Sequence, residues 1–303
     1  MTRTSASRIR IGVVLSLTLL LWGVGIARLS GVSAVPQPAH GRRTLARLDF
    51  NTALAVEAAL LRAQLPGAFT VRVSSPYVVA SDLGPAQLDR VIAQTLQAAT
   101  KALFASYIQT APPAPVRTYL FAGRTSYVII SRILWKDENP EMFGYSSPVQ
   151  DMMVMDISTG GGTLIHELTH ILLWADFPAI PIWFNEALGS LHEAVEIHPD
   201  RLVGLPNWRG ASVKDALRRN SLRSLDELVS DPDFYGKNVV INYAHARYFC
   251  LFLQDRCDLK RFYRLMKASQ GAKALTHAAA ACSISESRLE KEFRAYLPRV
   301  LAP

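Results

Sequence analysis

The hydrophobic and polar positions of this chain repeat with two periods, which predict helices and strands. Apolar residues recur every three or four positions over 45–64 and over 86–109, as they do in amphipathic helices. Strands are predicted, from short apolar runs bounded by turn-forming residues, at 69–73, 77–80, 116–121 and 148–158. Strands gathered around the early helices, followed by a helical C-terminal part, predict an α+β fold.

A further helix is predicted over 163–174, because this run contains no Pro or Gly and has a broad apolar surface. Three glycines at 160–162 precede the helix, and Thr163 is expected to cap its first turn. The strand predicted at 148–158 leads through these glycines directly into the helix.

This helix carries the sequence His166-Glu167-Leu168-Thr169-His170, which follows the pattern HExxH. Residues four apart on a helix lie one above the other, so His166 and His170 direct two imidazoles at one point. Glu167 lies beside that face, where its carboxylate can bind a water next to a metal without being a ligand. The motif therefore predicts a zinc site, which needs one more protein ligand.

Glu186 is the candidate for that third ligand. Pro178 and Pro181 prevent the first helix from continuing, and a second helix is predicted from about Trp183 to Glu196. Helices joined by a short turn usually pack as antiparallel neighbours, which would bring the first turn of the second helix near His170. The alternative is that Glu186 only interacts with the positive end of its own helix.

Two segments carry a resemblance to a known family. The sequences Thr-Leu-Ile-His-Glu-Leu-Thr-His at 163–170 and Pro-Ile-Trp-Phe-Asn-Glu-Ala-Leu-Gly at 181–189 resemble the gluzincin branch of the zinc metallopeptidases. More narrowly, they are similar to the bacterial peptidase MA-like families. The resemblance covers about 115–270 and is strongest at 144–193.

The resemblance implies a role for each residue of the motif. His166, His170 and Glu186 would be ligands of Zn2+, and Glu167 would be the general base. The implied fold is zincin-like and two-lobed, with a small N-terminal sheet plus helices and a helical C-terminal lobe. Such enzymes bind an extended substrate on an edge strand. The run 148–158 fits such a strand and an ordinary core strand equally well.

The chain departs from the family pattern in three respects. The gap of fifteen residues between His170 and Glu186 is shorter than in thermolysin or the aminopeptidases. Ala187 stands where the family usually has Gly, and Ser190 stands where thermolysin-like enzymes have a carboxylate that supports a ligand. Two other carboxylates are candidates for that supporting role, those of Asp176 and Glu193.

A helix predicted over 241–253 resembles a Tyr-Ala-Gln-Ala helix of the family, with His245 in place of Gln. A gluzincin-like site stabilises the oxyanion with zinc and a Tyr or His donor. Tyr243 is the first candidate for that donor and His245 the second. The alternative is that both are half-buried packing residues.

The N-terminus predicts export. Three arginines precede an uncharged run at 11–27, and the small residues at 32–34 form a cleavage pattern. The segment 1–34 is therefore predicted to be a signal peptide that engages the export machinery, followed by a linker at 35–44. The alternative is an uncleaved membrane anchor at 11–27. Both place the rest of the chain in the periplasm or outside the cell.

The charge argues against one class of function, and the cysteines bear on the compartment. The whole chain carries +8, and residues 1–34 contribute four arginines and no acid, which leaves +4 for 35–303. This ordinary surface charge argues against nucleic-acid binding. Cys257 and Cys282 could form a disulfide, which would suit an oxidising compartment. Three separate thiols, with Cys250 as the third, are equally compatible with the sequence.

The sequence therefore predicts an exported zinc metallopeptidase that acts on a peptide or protein substrate, as an endopeptidase or as an aminopeptidase-like enzyme. Its folded part, 45–303, is expected to be one catalytic unit with an α/β lobe at about 45–175 and a helical lobe at about 176–303. A second hypothesis is a catalytically inactive envelope binding or scaffold protein that retains a metal site. A third, a non-enzymatic membrane-anchored partner protein, requires the HExxH sequence to be accidental.

Overall fold

The structure is a computed structural model, which describes residues 9–10, 48–137, 140 and 143–302. Its strands are β1 (Ile9–Arg10), β2 (Thr70–Ser74), β3 (Tyr77–Ser81), β4 (Val116–Phe121), β5 (Gly144–Ser147), β6 (Met152–Asp156), β7 (Val195–His198) and β8 (Arg201–Gly204). Its first α-helices are α1 (Phe50–Gln64), α2 (Pro85–Val91), α3 (Ala98–Ser106), α4 (Arg124–Trp135), α5 (Gly161–Asp176) and α6 (Ile182–Leu191). The later α-helices are α7 (Gly210–Arg218), α8 (Leu225–Val229), α9 (Val239–Arg256), α10 (Leu259–Ala268), α11 (Ala274–Cys282) and α12 (Glu286–Val300).

The predicted α+β class is confirmed, with a small mixed sheet among many helices. By their internal contacts the described residues form two compact units. We call them the sheet unit (48–97, 109–137, 140 and 143–176) and the helical unit (9–10, 98–108 and 177–302). The zincin-like fold and the lobe boundaries given above stay predictions.

The sheet unit contains a five-stranded sheet in the order β2-β3-β4-β6-β5. The three central strands run parallel, and the edge strands β2 and β5 are antiparallel to their neighbours. All residues of the central strands are buried, as expected for strands covered on both faces. One face packs against apolar residues of α1 and α4, and α5 contacts β5 and β6.

The strand predicted at 148–158 is shorter in the structure, where only Met152–Asp156 forms β6, and it is a core strand because β6 has neighbours on both sides. The edge strand next to α5 is β5, which the apolar pattern did not predict. The reason is its composition: Gly144, Ser146 and Ser147 leave Tyr145 as its one large apolar residue, and all four are half-buried. A half-buried edge strand needs few large apolar residues, so its sequence lacks the apolar run by which the other strands were predicted.

Several of the predicted helices differ from those in the structure. Helix α5 begins at Gly161, so two of the three glycines lie inside it and Thr163 does not begin it. Helix α6 ends at Leu191 instead of continuing to Glu196, because the chain turns into β7 at Val195. The helix predicted over 86–109 is interrupted by a π-helical segment, Ile92–Gln97.

The helical unit is organised around α9, which is buried along most of its length and contacts α6, α7, α10, α11 and α12. Aromatic rings from four elements fill the space next to it. Phe184, Phe249, Phe262 and Phe293 approach one another with ring centroids 5.0–6.5 Å apart. A small sheet in the order β1-β7-β8 completes the unit.

Cys257 and Cys282 form a disulfide that joins the end of α9 to the end of α11, and Cys250 is a buried free thiol. Of the two alternatives that the sequence left open, the structure therefore has the disulfide and not three separate thiols. In the part of the chain that the structure describes, no helix is long and apolar enough to cross a membrane. The predicted signal peptide or anchor run at 11–27 and the linker at 35–44 lie outside the described residues.

Candidate metal centre

The two motif histidines lie one turn apart on α5. Their Nε2 atoms are 2.9 Å apart, and the His170 ring stacks on Trp174 with centroids 5.3 Å apart. Two nitrogens bound to one tetrahedral zinc at about 2.0 Å are roughly 3.3 Å apart. The imidazoles are therefore directed at a common point at nearly the separation that a metal would impose.

Glu186 lies one turn into α6, after Pro181, which precedes the first helical residue. The structure brings it together with the motif: one ligand atom from each of His166, His170 and Glu186 lies within 4.8 Å of the other two. His170 and Glu186 are buried and His166 is half-buried. Two imidazoles and a carboxylate are a donor set of catalytic zinc sites, so this group could bind a metal ion.

Glu167 is buried, and its carboxylate is fixed by a hydroxyl group from the edge strand. Ser146 Oγ donates a hydrogen bond of 2.7 Å to Glu167 Oε2. The side chain of Ser146 lies on β5, whose residues alternate in direction. The strand thus orients the carboxylate that the sequence assigned as general base.

Two tyrosines neighbour Glu186 in the helical unit. Tyr235 Oη donates a hydrogen bond of 2.6 Å to Glu186 Oε1, and the rings of Tyr235 and Tyr243 are 6.3 Å apart. Burial, together with the nearby carboxylate of Glu186, raises the pKa of Tyr243 well above its usual value. Tyr243, the first candidate for the oxyanion donor, is therefore protonated at neutral pH and able to donate.

Arg209 packs against Tyr243. Its Cζ lies 4.9 Å from the Tyr243 ring centroid and 4.4 Å from that of Trp208, within the range of cation–π contacts. The guanidinium is buried and pairs with Glu193 through bonds of 2.6 and 2.8 Å. Burial lowers the pKa of Arg209, whereas the charge and hydrogen bonds of Glu193, together with Tyr243 and Glu186, raise it, and the net shift is upward. A permanent positive charge therefore lies beside the Tyr243 ring.

The two carboxylates considered as supporting groups make other bonds. Glu193 is the partner of Arg209. Asp176 Oδ1 accepts from the backbone N–H groups of Gln109 and Thr110, at 2.9 and 2.7 Å. Glu193 therefore fixes the arginine next to Tyr243, and Asp176 fixes the backbone at the start of the loop that follows α3.

His245, the second candidate for the oxyanion donor, is directed elsewhere. Its ring is buried and stacks on Phe293 with centroids 5.6 Å apart. Burial, with repulsion from Arg223 and Arg294, lowers the pKa of His245 to about 3. Side chains two positions apart on an α-helix point in directions that differ by about 200°. His245 and Tyr243 therefore lie on different sides of α9. The structure thus supports the packing alternative for His245.

Comparison with protein-family models finds no match for this sequence, and a comparison with curated proteins finds none either. The resemblance to the gluzincins stays a prediction that rests on the motif residues.

Two residues that contact the predicted site, Tyr235 and Ser146, were not predicted from the sequence. Tyr235 lies 49 positions from Glu186, and Ser146 lies 21 positions from Glu167. Neither belongs to a periodic pattern, and both bonds depend on the tertiary fold. The one available signal was that Gly144–Ser147 begins the region where the resemblance is strongest.

Proposed function

We propose that this chain is an exported zinc-dependent metallopeptidase that hydrolyses peptide bonds. The observation that carries the proposal is the group formed by His166, His170 and Glu186, with a buried carboxylate, Glu167, next to the first of them in sequence. A zinc ion that only stabilises the fold is usually enclosed by four protein ligands, and such a site has no use for a nearby carboxylate that is not a ligand.

Each residue has a task in this reaction. His166, His170 and Glu186 would hold the zinc ion, which would polarise the scissile carbonyl and lower the pKa of the attacking water. Glu167 takes a proton from the attacking water and passes it to the leaving amine. The hydroxyl of Ser146 keeps that carboxylate oriented through its bond of 2.7 Å.

Tyr243 donates to the carbonyl oxygen as negative charge develops on it. Its position beside Glu186 and under the positive charge of Arg209 supports this assignment. The export of the protein rests on the pattern of residues 1–34. The disulfide between Cys257 and Cys282 supports it, because disulfides persist in oxidising compartments.

A peptide-library digest tests this function. The wild-type chain should cleave peptides, lose activity on treatment with a chelator and recover it when zinc is returned. Glu167→Gln preserves side-chain size and should keep its zinc, yet lose about 10²- to 10⁴-fold in kcat because no base remains. Glu196→Gln, a change on β7 of the small sheet in the helical unit, is the matched control and should cleave like wild type.

Two results would refute the mechanism: cleavage that chelators do not affect, or a Glu167→Gln variant as fast as wild type. A chain that binds zinc but cleaves no peptide in the library would favour the second hypothesis, an envelope binding or scaffold protein.

A further inference from the structure

Tyr235 makes the shortest described contact to the proposed ligand Glu186. Its hydroxyl is half-buried with the rest of the residue and donates to Glu186 Oε1 at 2.6 Å. Hydrogen bonds to an ionised carboxylate are short and about twice as strong as neutral ones. A carboxylate that binds a metal through one oxygen keeps the other oxygen for such a bond.

The loop that carries Tyr235 is fixed from the first turn of α9. The side-chain amide of Asn242, which is buried, donates to the carbonyl of Phe234 at 2.8 Å and to Asp231 Oδ2 at 3.1 Å. Arg223 forms an ion pair of 2.8 Å with the same Asp231 oxygen. Arg223 also donates to Asn242 Oδ1. We call Arg223, Asp231 and Asn242 the loop clamp.

The loop clamp acts on the residue next to Tyr235. Because Asn242 binds the carbonyl of Phe234, the backbone that leads into Tyr235 has a fixed direction. The Phe234 ring packs against Tyr235 and Tyr243 at centroid distances of 5.6 and 5.5 Å. The tyrosine hydroxyl therefore reaches Glu186 without ordering a free loop, which would otherwise cost conformational entropy.

We propose that Tyr235 is a positioning residue that orients Glu186 for metal binding, and that the loop clamp in turn positions Tyr235. The inference deepens the proposed function, since it rests on Glu186 being a metal ligand. Groups that hydrogen-bond to metal ligands orient them, and losing one typically weakens metal binding by 10- to 100-fold. Zinc affinity should therefore depend on residues that touch neither the metal nor the substrate.

The test measures the zinc dissociation constant of the full chain by competition with a chromophoric chelator. Tyr235→Phe removes only the hydroxyl and should bind zinc about 10- to 100-fold more weakly than wild type. Tyr296→Phe is the matched control, because the Tyr296 hydroxyl also donates to a carboxylate, Asp255, at 2.7 Å. It should bind zinc like wild type.

The loop clamp is tested with Asp231→Asn, which keeps the side-chain size and weakens the ion pair with Arg223. Its zinc affinity should fall in the same direction as that of Tyr235→Phe, and by less. The melting temperature of the metal-free variants separates the roles, because a purely structural effect lowers it and leaves the zinc affinity unchanged.

Wild-type zinc affinity in Tyr235→Phe would overturn the inference and leave the proposed function intact. Wild-type affinity in Asp231→Asn would overturn the role of the loop clamp. A wild-type chain that binds no zinc would instead refute the proposed function itself.

Discussion

At the scale of single residues, Tyr243 and His245 show how far two positions on one helix can differ. Tyr243 lies among Phe234, Tyr235 and Arg209, beside the proposed ligand Glu186. His245 stacks on Phe293, on a different side of α9. The sequence placed both residues on a helix after the motif, but only the packing of α9 decides which one reaches the site.

Tyr243→Phe should lower kcat by roughly ten- to a thousandfold, as expected when one donor to a developing oxyanion is lost. Zinc content should stay at the wild-type level. His245→Leu, two residues away, should change kcat much less. Steady-state kinetics with a cleavable peptide measure both, and an inert Tyr243→Phe beside an inactive His245→Leu would reverse the assignment.

His245 also predicts a pH dependence of stability. Its pKa is lowered from 6.5 to about 3 by burial and by Arg223 and Arg294, against a weaker opposite effect of Glu227. Between these two values the unfolded chain binds a proton at His245 that the folded chain does not. The free energy of unfolding should therefore fall as the pH drops from about 6.5 towards 3, by up to about 1.4 kcal/mol per pH unit from this residue.

His245→Leu should remove that part of the slope when the metal-free chain is unfolded with urea at several pH values. Gly67→Ala, which changes no titratable group and adds a Cβ that meets no atom within 4 Å, should keep the wild-type slope. Equal slopes in wild type and His245→Leu would show that His245 does not stay neutral in the folded state.

At the scale of elements, β5 packs tightly on β6 and α5, and Gly144 makes this possible. A Cβ at Gly144 would lie 2.9 Å from Met155 Cβ and from the Val154 carbonyl oxygen, and 3.1 Å from Thr163 Cγ2. Ser146, two residues further, points the same way and reaches Glu167, four residues after Thr163. Residues two apart on β5, Gly144 and Ser146, therefore face residues four apart on α5, Thr163 and Glu167.

Gly144→Ala should force β5 away from β6 and α5, lowering the free energy of unfolding by about 1–3 kcal/mol. It should also reduce kcat, because the bond from Ser146 to Glu167 lengthens. Gly67→Ala is the control, since a Cβ there meets no atom within 4 Å. Urea unfolding and peptide kinetics give both readouts, and a Gly144→Ala variant with wild-type values would show that β5 does not depend on this close approach.

The elements that the sequence predicted well are those with strong local patterns. The strands β2, β3, β4 and β6 and the helices around the motif are buried on a face or on all sides, so their apolar residues recur regularly. The metal group was predictable because His166 and His170 lie one turn apart on one helix and Glu186 lies one turn into the next.

The features that the sequence did not reveal depend on tertiary contacts. The half-buried edge strand β5 contains Gly144 and two serines, so it has no apolar period. The π-helical segment Ile92–Gln97 keeps an apolar composition that looks like an ordinary helix. Tyr235 is placed by the loop clamp, whose members are separated by up to 19 positions.

At the scale of the whole molecule, the chain combines a small buried sheet, a bundle around α9 and one disulfide. The proposed chemistry depends first on the metal group, because a bound zinc ion would polarise the scissile carbonyl and lower the pKa of the attacking water. The central claim is therefore that this chain binds zinc through His166, His170 and Glu186.

Zinc stoichiometry, measured by mass spectrometry on the purified full chain, tests that claim most directly. We expect about one zinc ion per wild-type chain, one in Glu167→Gln and none in His170→Ala, because two remaining ligands do not bind zinc tightly. Stoichiometric zinc of wild-type affinity in His170→Ala would contradict it.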